Sequence, residues 1–144
     1  MEYLRFHYKI ENNIYLELPD TQKSLYMKEL KETKREIDEL IASSGWPKAR
    51  FKLLTLLTRL RQICIDPSIA YDNYHGEAIK MDKLTEIVHN FIEDNHKILI
   101  FSTFKTVIDA VKTRFDKENI SSYVIDGTVL GKKRTELVDK FNKD

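Results

Sequence analysis

Lys97-Ile98-Leu99-Ile100-Phe101-Ser102 and, further on, Ser122-Tyr123-Val124-Ile125-Asp126-Gly127 decide how this chain is read. Each is a short apolar run closed by polar or turn-forming residues, the pattern of a strand covered on both faces. Helical spacing surrounds them. Leu84, Ile87, Val88, Phe91 and Ile92 mark one helix over 80–94, and Val107, Ile108, Val111 and Phe115 another over 104–117. Leu137, Val138 and Phe141 mark a third over 132–142. Helix–strand–helix–strand–helix predicts an α/β fold with parallel strands joined by right-handed crossovers. Two such strands are too few for a sheet covered on both faces, so the sheet reads as incomplete and the sequence as cut off. The unpaired edge of such a sheet predicts self-association, or a mobile C-terminal part.

Upstream, Ile14, Leu16 and Leu18 alternate with polar positions as in a half-buried strand, ended by Pro19. Asp20 is placed to cap a helix over 21–42 carrying Leu25, Tyr26, Leu30, Ile37, Leu40 and Ile41. Ser43-Ser44-Gly45-Trp46-Pro47 reads as a loop, with Trp46 its anchor. A second helix from Lys48 carries Phe51, Leu53, Leu54, Leu56, Leu57, Leu60 and Ile63 on more than one face, which predicts burial between neighbours. Asp66-Pro67 ends it. From Ile41 to Ile65 there are five bases (Lys48, Arg50, Lys52, Arg59, Arg61) and no acid. Such a stripe either pairs with acids of the preceding helix or faces phosphates.

Composition excludes several classes. The 144 residues carry 24 Lys+Arg against 23 Asp+Glu, a net charge of +1, without the basic excess of a free-standing nucleic-acid binder. With 42% hydrophobic and 33% charged residues the chain is globular rather than disordered. No apolar run approaches the roughly 20 residues that span a bilayer, and Met1-Glu2-Tyr3 opens no signal peptide, so a cytoplasmic protein is expected. Cys64 stands alone, which excludes an internal disulfide and a Cys-rich zinc site; a small core residue is expected there. His7, His75, His89 and His96 have no ligand spacing, so no metal site is expected. None of the four glycines opens a phosphate-cradling loop, and no catalytic motif is complete.

Four segments together resemble one family. Leu60-Arg61-Gln62-Ile63-Cys64-Ile65-Asp66-Pro67 is similar to the L-R-Q-x-C-x-H-P signature of the Swi/Snf-type helicase-like ATPases, relatives of the superfamily-two helicases. Leu18, Gln22 and Tyr26 resemble the family's L-x-x-x-Q-x-x-x-Y approach to the second lobe. Lys97 to Phe104 resembles helicase motif IV, commonly K-V-L-I-F-S-Q-F. Tyr123-Val124-Ile125-Asp126-Gly127-Thr128, with Arg134 and Phe141-Asn142, resembles the Y-x-x-L-D-G-S-T, R and F-N run. Order and spacing agree from about Asn13 onward, and bacterial members are nearest in texture. The departures are Ile65-Asp66 for Asn-His, Thr103 for Gln, and Val129 for the Thr after D-G-S.

The resemblance implies the first part of the second RecA-like lobe of a double-stranded DNA translocase, a truncated three-layer helicase C-terminal lobe. Residues 1–18 would be the opening strand, 19–78 a helical insertion, and 79–144 the incomplete RecA-like parallel sheet. It implies a DNA-dependent ATPase as parent, using ATP and magnesium, nucleoid-associated if bacterial, whose first lobe and later second-lobe motifs would be this segment's partners. The phosphate loop, the Asp-Glu box and the arginine finger are not in this sequence, so no residue here is expected to be catalytic or to hold a cofactor. Similar positions in the family touch the DNA backbone, which assigns that role to Ser102, Thr103, Phe104, Gly127, Thr128, Lys132 and Arg134. Lys132, Lys133 and Arg134 open a helix, where cations are mildly unfavourable, so either a phosphate or a plain solvated face explains them. Arg134 alternatively braces the lobe. Gln22, Arg61, Cys64, Pro67 and Asp126 are expected as structural members of the signatures, with weak duplex binding by the segment alone. The reading of another class is a self-contained helical module that docks a protein through 48–65.

Overall fold

Apolar spacing of three and four residues dominates the chain, and in the computed structural model, which describes residues 10–143, it gives helices throughout. Among the described residues five α-helices follow one another: α1 (Asp20–Ser44), α2 (Trp46–Ile65), α3 (Ile79–Glu93), α4 (Lys105–Lys117) and α5 (Gly131–Lys143), with a 3-10 turn at Pro67–Ile69. Pro19, not Asp20, holds the N-cap position of α1, and Asp20 lies in the first turn, where its charge suits the helix dipole.

The expected α/β fold is not what forms. Among the described residues there is no strand, neither at 14–18 nor at 97–102 nor at 122–126. The part of the opening-strand expectation that falls on 1–9 lies outside the described residues. The reason is one of pairing. A strand exists through a ladder to a neighbour, and two lone parallel runs are marginal. Ile98 packs on the helices, but Leu99 and Phe101 face away with nothing over them, so the two-sided cover that the apolar run implied is missing. Without a sheet, the sheet-edge route to self-association loses its basis as well.

Two cores result. In the first, α1 and α2 form an antiparallel hairpin around Ile37, Ala49, Leu56, Leu60 and Ile63, with Leu25, Tyr26, Leu30, Leu40 and Leu53 at its margin. The expected loop between these helices shrinks to Gly45 alone, at φ 78° and ψ 170°. That region belongs essentially to glycine. A Cβ there would meet only the Pro47 ring at 3.7 Å, so the constraint is torsional. Gly45→Ala should therefore destabilise the hairpin by about 1–3 kcal/mol, read from urea unfolding followed by circular dichroism.

The hairpin also settles much of the basic stripe. Lys52 pairs with Glu36 at 2.5 Å and Arg59 with Glu29 at 3.2 Å. The Tyr71 hydroxyl donates to Glu29 as well, while the Arg59 guanidinium lies 4.9 Å from the Tyr71 ring centroid. Burial, and then the Glu29 bond, pushes the Tyr71 phenol above its usual range.

The second core is smaller, formed by Val88, Phe115 and Ile120 with Leu84, Ile98 and Val111 beside them. Both helices that supply it end in a left-handed Asn. Asn95 and Asn119 each have φ 57°, and the next amides, His96 and Ile120, return to the carbonyls of Phe91 and Phe115 at 2.8 Å. Arg114 ties the two helices together, reaching Asp82 at 2.9 Å and Glu118 at 2.5 Å; Glu118 also meets His89 at 2.8 Å. None of α5 is buried; Lys97 Nζ holds its end by donating to the Phe141 and Asn142 carbonyls at 2.7 and 3.0 Å.

Candidate nucleic-acid interface

The residues ahead of α4 and α5 converge although no sheet carries them. Ser102, Thr103, Lys105, Ile108, Ile125, Asp126, Gly127 and Arg134 line one open cleft of about 350 Å³. Four of the seven expected contact residues, Ser102, Thr103, Gly127 and Arg134, are thus brought together. Phe104 is half-buried at the N-cap of α4, Thr128 sits on the adjoining turn, and Lys132 is exposed outside the lining.

Local chemistry explains each position. Ser102 Oγ accepts from the Phe104 amide at 3.2 Å, which turns the chain into α4. Asp126 Oδ1 accepts from the Thr128 amide at 2.9 Å and the Thr128 hydroxyl at 2.6 Å, closing an Asx turn. Arg134 Nε donates to the Val129 carbonyl at 2.8 Å and Nη2 to the Asp126 carbonyl at 2.9 Å. The arginine that opens α5 therefore braces the preceding turn. Lys105, which the sequence reading passed over, pairs with Asp109 at 2.8 Å and Asp126 at 3.4 Å. Its signal was only its place as the first helical residue after an apolar run. The two Thr128 bonds, then Lys105, hold the Asp126 carboxyl below the usual carboxylate range, while Asp109 and then Asp126 push Lys105 up.

A nucleotide triphosphate does not fit this donor set. Both cations of the lining are committed to protein oxygens, and the Asp126 carboxylate projects into the same space. No group of three His, Cys, Asp or Glu that could hold a metal ion occurs among the described residues. A single solvated phosphate asks less: Thr103 and Gly127 are exposed in the lining, and Thr128 and Lys132, close to lining residues along the chain, are exposed as well.

The signature residues lie behind it. Gln22 is fully buried; its Nε2 donates to the Ile63 carbonyl at 2.6 Å and its Oε1 accepts from the Ile79 amide at 3.3 Å. Arg61 finds a ring, not an acid, 5.9 Å from the Phe104 centroid. Pro67 is buried, and Asp66, where the family has His, caps the 3-10 turn by accepting from Ser68 N at 2.9 Å. Cys64 is half-buried with its thiol pushed up by burial, as suits an inert packing residue. Together they join the hairpin to α3 and to the start of α4.

The sequence is similar to known proteins over most of its length. Residues 79–144 match the helicase conserved C-terminal domain. An uncharacterized ATP-dependent helicase of Mycoplasma pneumoniae is 33% identical over 134 residues, covering 93% of this chain and 12% of the relative. A putative ATP-dependent helicase/translocase of Bacillus subtilis, YwqA, is 26% identical over 141 residues, with 94% and 15% covered. The ISWI chromatin-remodeling complex ATPase ISW1 of Saccharomyces cerevisiae is 24% identical over 145 residues, with 93% and 13% covered. No solved structure matches. Residues 79–144 thus resemble a helicase C-terminal domain, and most of the chain is similar to proteins named as ATP-dependent helicases. The similar proteins include Swi/Snf-type remodelling ATPases, in line with the resemblance of the four motifs. The chain spans roughly an eighth of the length of these relatives.

Proposed function

We propose that this chain is a DNA-gripping segment of a Swi/Snf-type, ATP-driven duplex translocase and contacts the phosphate backbone through the cleft ahead of α4 and α5. The observation that carries this is the convergence of Ser102, Thr103 and Gly127, from two distant segments, beside the exposed Thr128 and Lys132. Hydroxyls and chain amides of this kind position a duplex without reading its sequence. ATP and magnesium belong to the complete motor, held by residues other than these, so the 144 residues alone should show no DNA-stimulated ATP hydrolysis. Its working partners on this reading are duplex DNA and the remaining parts of the motor, on the nucleoid if the host is bacterial.

Fluorescence anisotropy with a labelled duplex tests it. Binding should be weak and fall steeply with salt. The double variant Thr103→Ala/Lys132→Ala should weaken it several-fold and flatten the slope of log K against log salt by about one. Salt-independent binding, or a variant that binds as well as the parent sequence, would show that this cleft does not grip DNA.

A further inference from the structure

We propose that the outward face of α2 docks an acidic amphipathic helix from a protein partner. The helix has two apolar faces and only one is covered. Ala49, Leu56, Leu60 and Ile63 are buried against α1. On the other side Trp46, Phe51, Leu54 and Leu57 are 54%, 66%, 54% and 43% exposed, although the sequence predicted a helix buried between neighbours. Phe51, Leu54, Thr55, Thr58, Arg59 and Gln62 line a shallow groove of about 420 Å³ there. The Thr55 and Thr58 hydroxyls donate to the Phe51 and Leu54 carbonyls one turn back, both at 3.0 Å, so they make no demand on an incoming apolar surface. Arg50, Leu54, Leu57 and Arg61 follow at spacings of four, three and four, one stripe of a helix. At about 1.5 Å per residue that stripe is roughly 16 Å long, the footprint of a three-turn partner helix.

Charge selects the occupant. No acid occurs anywhere in α2. Lys52 and Arg59 are neutralised by Glu36 and Glu29 on the α1 side, and Arg61 lies over the Phe104 ring, which leaves Lys48 and Arg50 as exposed bases near the N-terminal end of the apolar face. Arg50 lies 5.5 Å from the Phe51 ring centroid, at the edge of the patch itself. A second copy of this face would set arginine against arginine with nothing to offset them. Duplex phosphates would satisfy the arginines but leave Phe51 and Leu54 against a hydrated backbone. A helix with leucine-type anchors flanked by Glu or Asp satisfies both halves of the surface at once.

The test uses the 144-residue chain and a synthetic labelled helix with Leu on one face and Glu on the rest. Controls are its scrambled sequence and a version with Lys for every Glu. Anisotropy should show binding of the Glu helix only, weakened about tenfold or more by Leu54→Ser and by Arg50→Glu. Both variants alter exposed positions, so the far-UV circular dichroism should stay unchanged, and Phe51→Ser provides a third variant of the same groove. Thr103→Ala/Lys132→Ala should leave peptide binding intact, which separates this surface from the DNA cleft. Failure of the Glu helix to bind, equal binding of the Lys or scrambled peptide, loss of duplex binding in Leu54→Ser, or a dimer abolished by it would each overturn the proposal.

Discussion

Gln22→Met should cost about 2–4 kcal/mol, although it keeps nearly the same volume in a fully buried position. The reason lies in what the amide completes. The carbonyl of Ile63 would ordinarily accept from the amide four residues on, and that residue is Pro67, which has no N–H. Gln22 Nε2 supplies the missing donor at 2.6 Å. Its Oε1 takes the amide of Ile79, the first residue of α3, one of the donors that every helix start leaves without an intrahelical partner. One side chain on α1 thus closes the end of α2 and the beginning of α3. Methionine leaves both groups unpaired, at about 1–3 kcal/mol for a buried orphan. Gln22→Glu separates the two bonds: an ionised carboxylate still accepts from Ile79 but cannot donate to Ile63. Its deficit should therefore shrink as the pH falls and the protonated carboxyl regains a donor. Urea unfolding of the variants near neutral and mildly acidic pH reads this directly. A loss below about 0.5 kcal/mol for Gln22→Met would mean that water or backbone relaxation satisfies these groups instead.

How far the sequence foretold this molecule depends on whether a feature is local. The helices were legible because their apolar spacing needs no distant partner, and Asp66-Pro67 stops α2 by sterics between neighbours. The importance of Gln22 came only through the family resemblance. A lone glutamine in a charged helix gives no sign of an unpaired carbonyl 41 residues away. Strands failed for the opposite reason. The run 97–101 has the right composition, but a strand is a relation between two backbones, and no ladder partner comes to it among the described residues. The two-faced character of α2 was visible, and the inference from it to burial on both sides was not warranted; α1 covers one face while Phe51, Leu54 and Leu57 on the other stay exposed. At the cleft, the convergence of 102–105 with 125–127 survived the absence of the sheet, because turn chemistry fixes each segment separately. A bracing Arg134 was one of the two roles expected of it, whereas the carbonyls it braces and the Lys105–Asp126 pair depend on side-chain reach and could not be read.

Phe115→Ala should unfold one half of this structure and spare the other. The side chain is 4% exposed and is the largest member of a core whose other buried residues are Val88 and Ile120. Removing a buried phenyl costs about 3–5 kcal/mol, and a core this thin, with no strand ladder beneath it, has little left to resist the loss. Phe115 also sits at the hinge of the left-handed Asn119 turn, where its carbonyl accepts from Ile120. A collapsed core would release that turn and the Ile120 side chain together. The first core shares no side chain with this one; Ile37, Ala49, Leu56, Leu60 and Ile63 close on themselves between α1 and α2. Hydrogen exchange should therefore lose protection across α3 and α4 while the hairpin amides keep theirs, and circular dichroism should retain the α1–α2 signal. Phe115→Leu, which keeps most of the buried volume, should lose only about 1 kcal/mol and leave both halves folded. The alternative outcome is equally plain. If hairpin protection falls in step with that of α3 and α4, the bridge through Gln22 and the stack of Arg61 on Phe104 couple the two cores into one cooperative unit, and a force on the cleft would be felt along the whole hairpin.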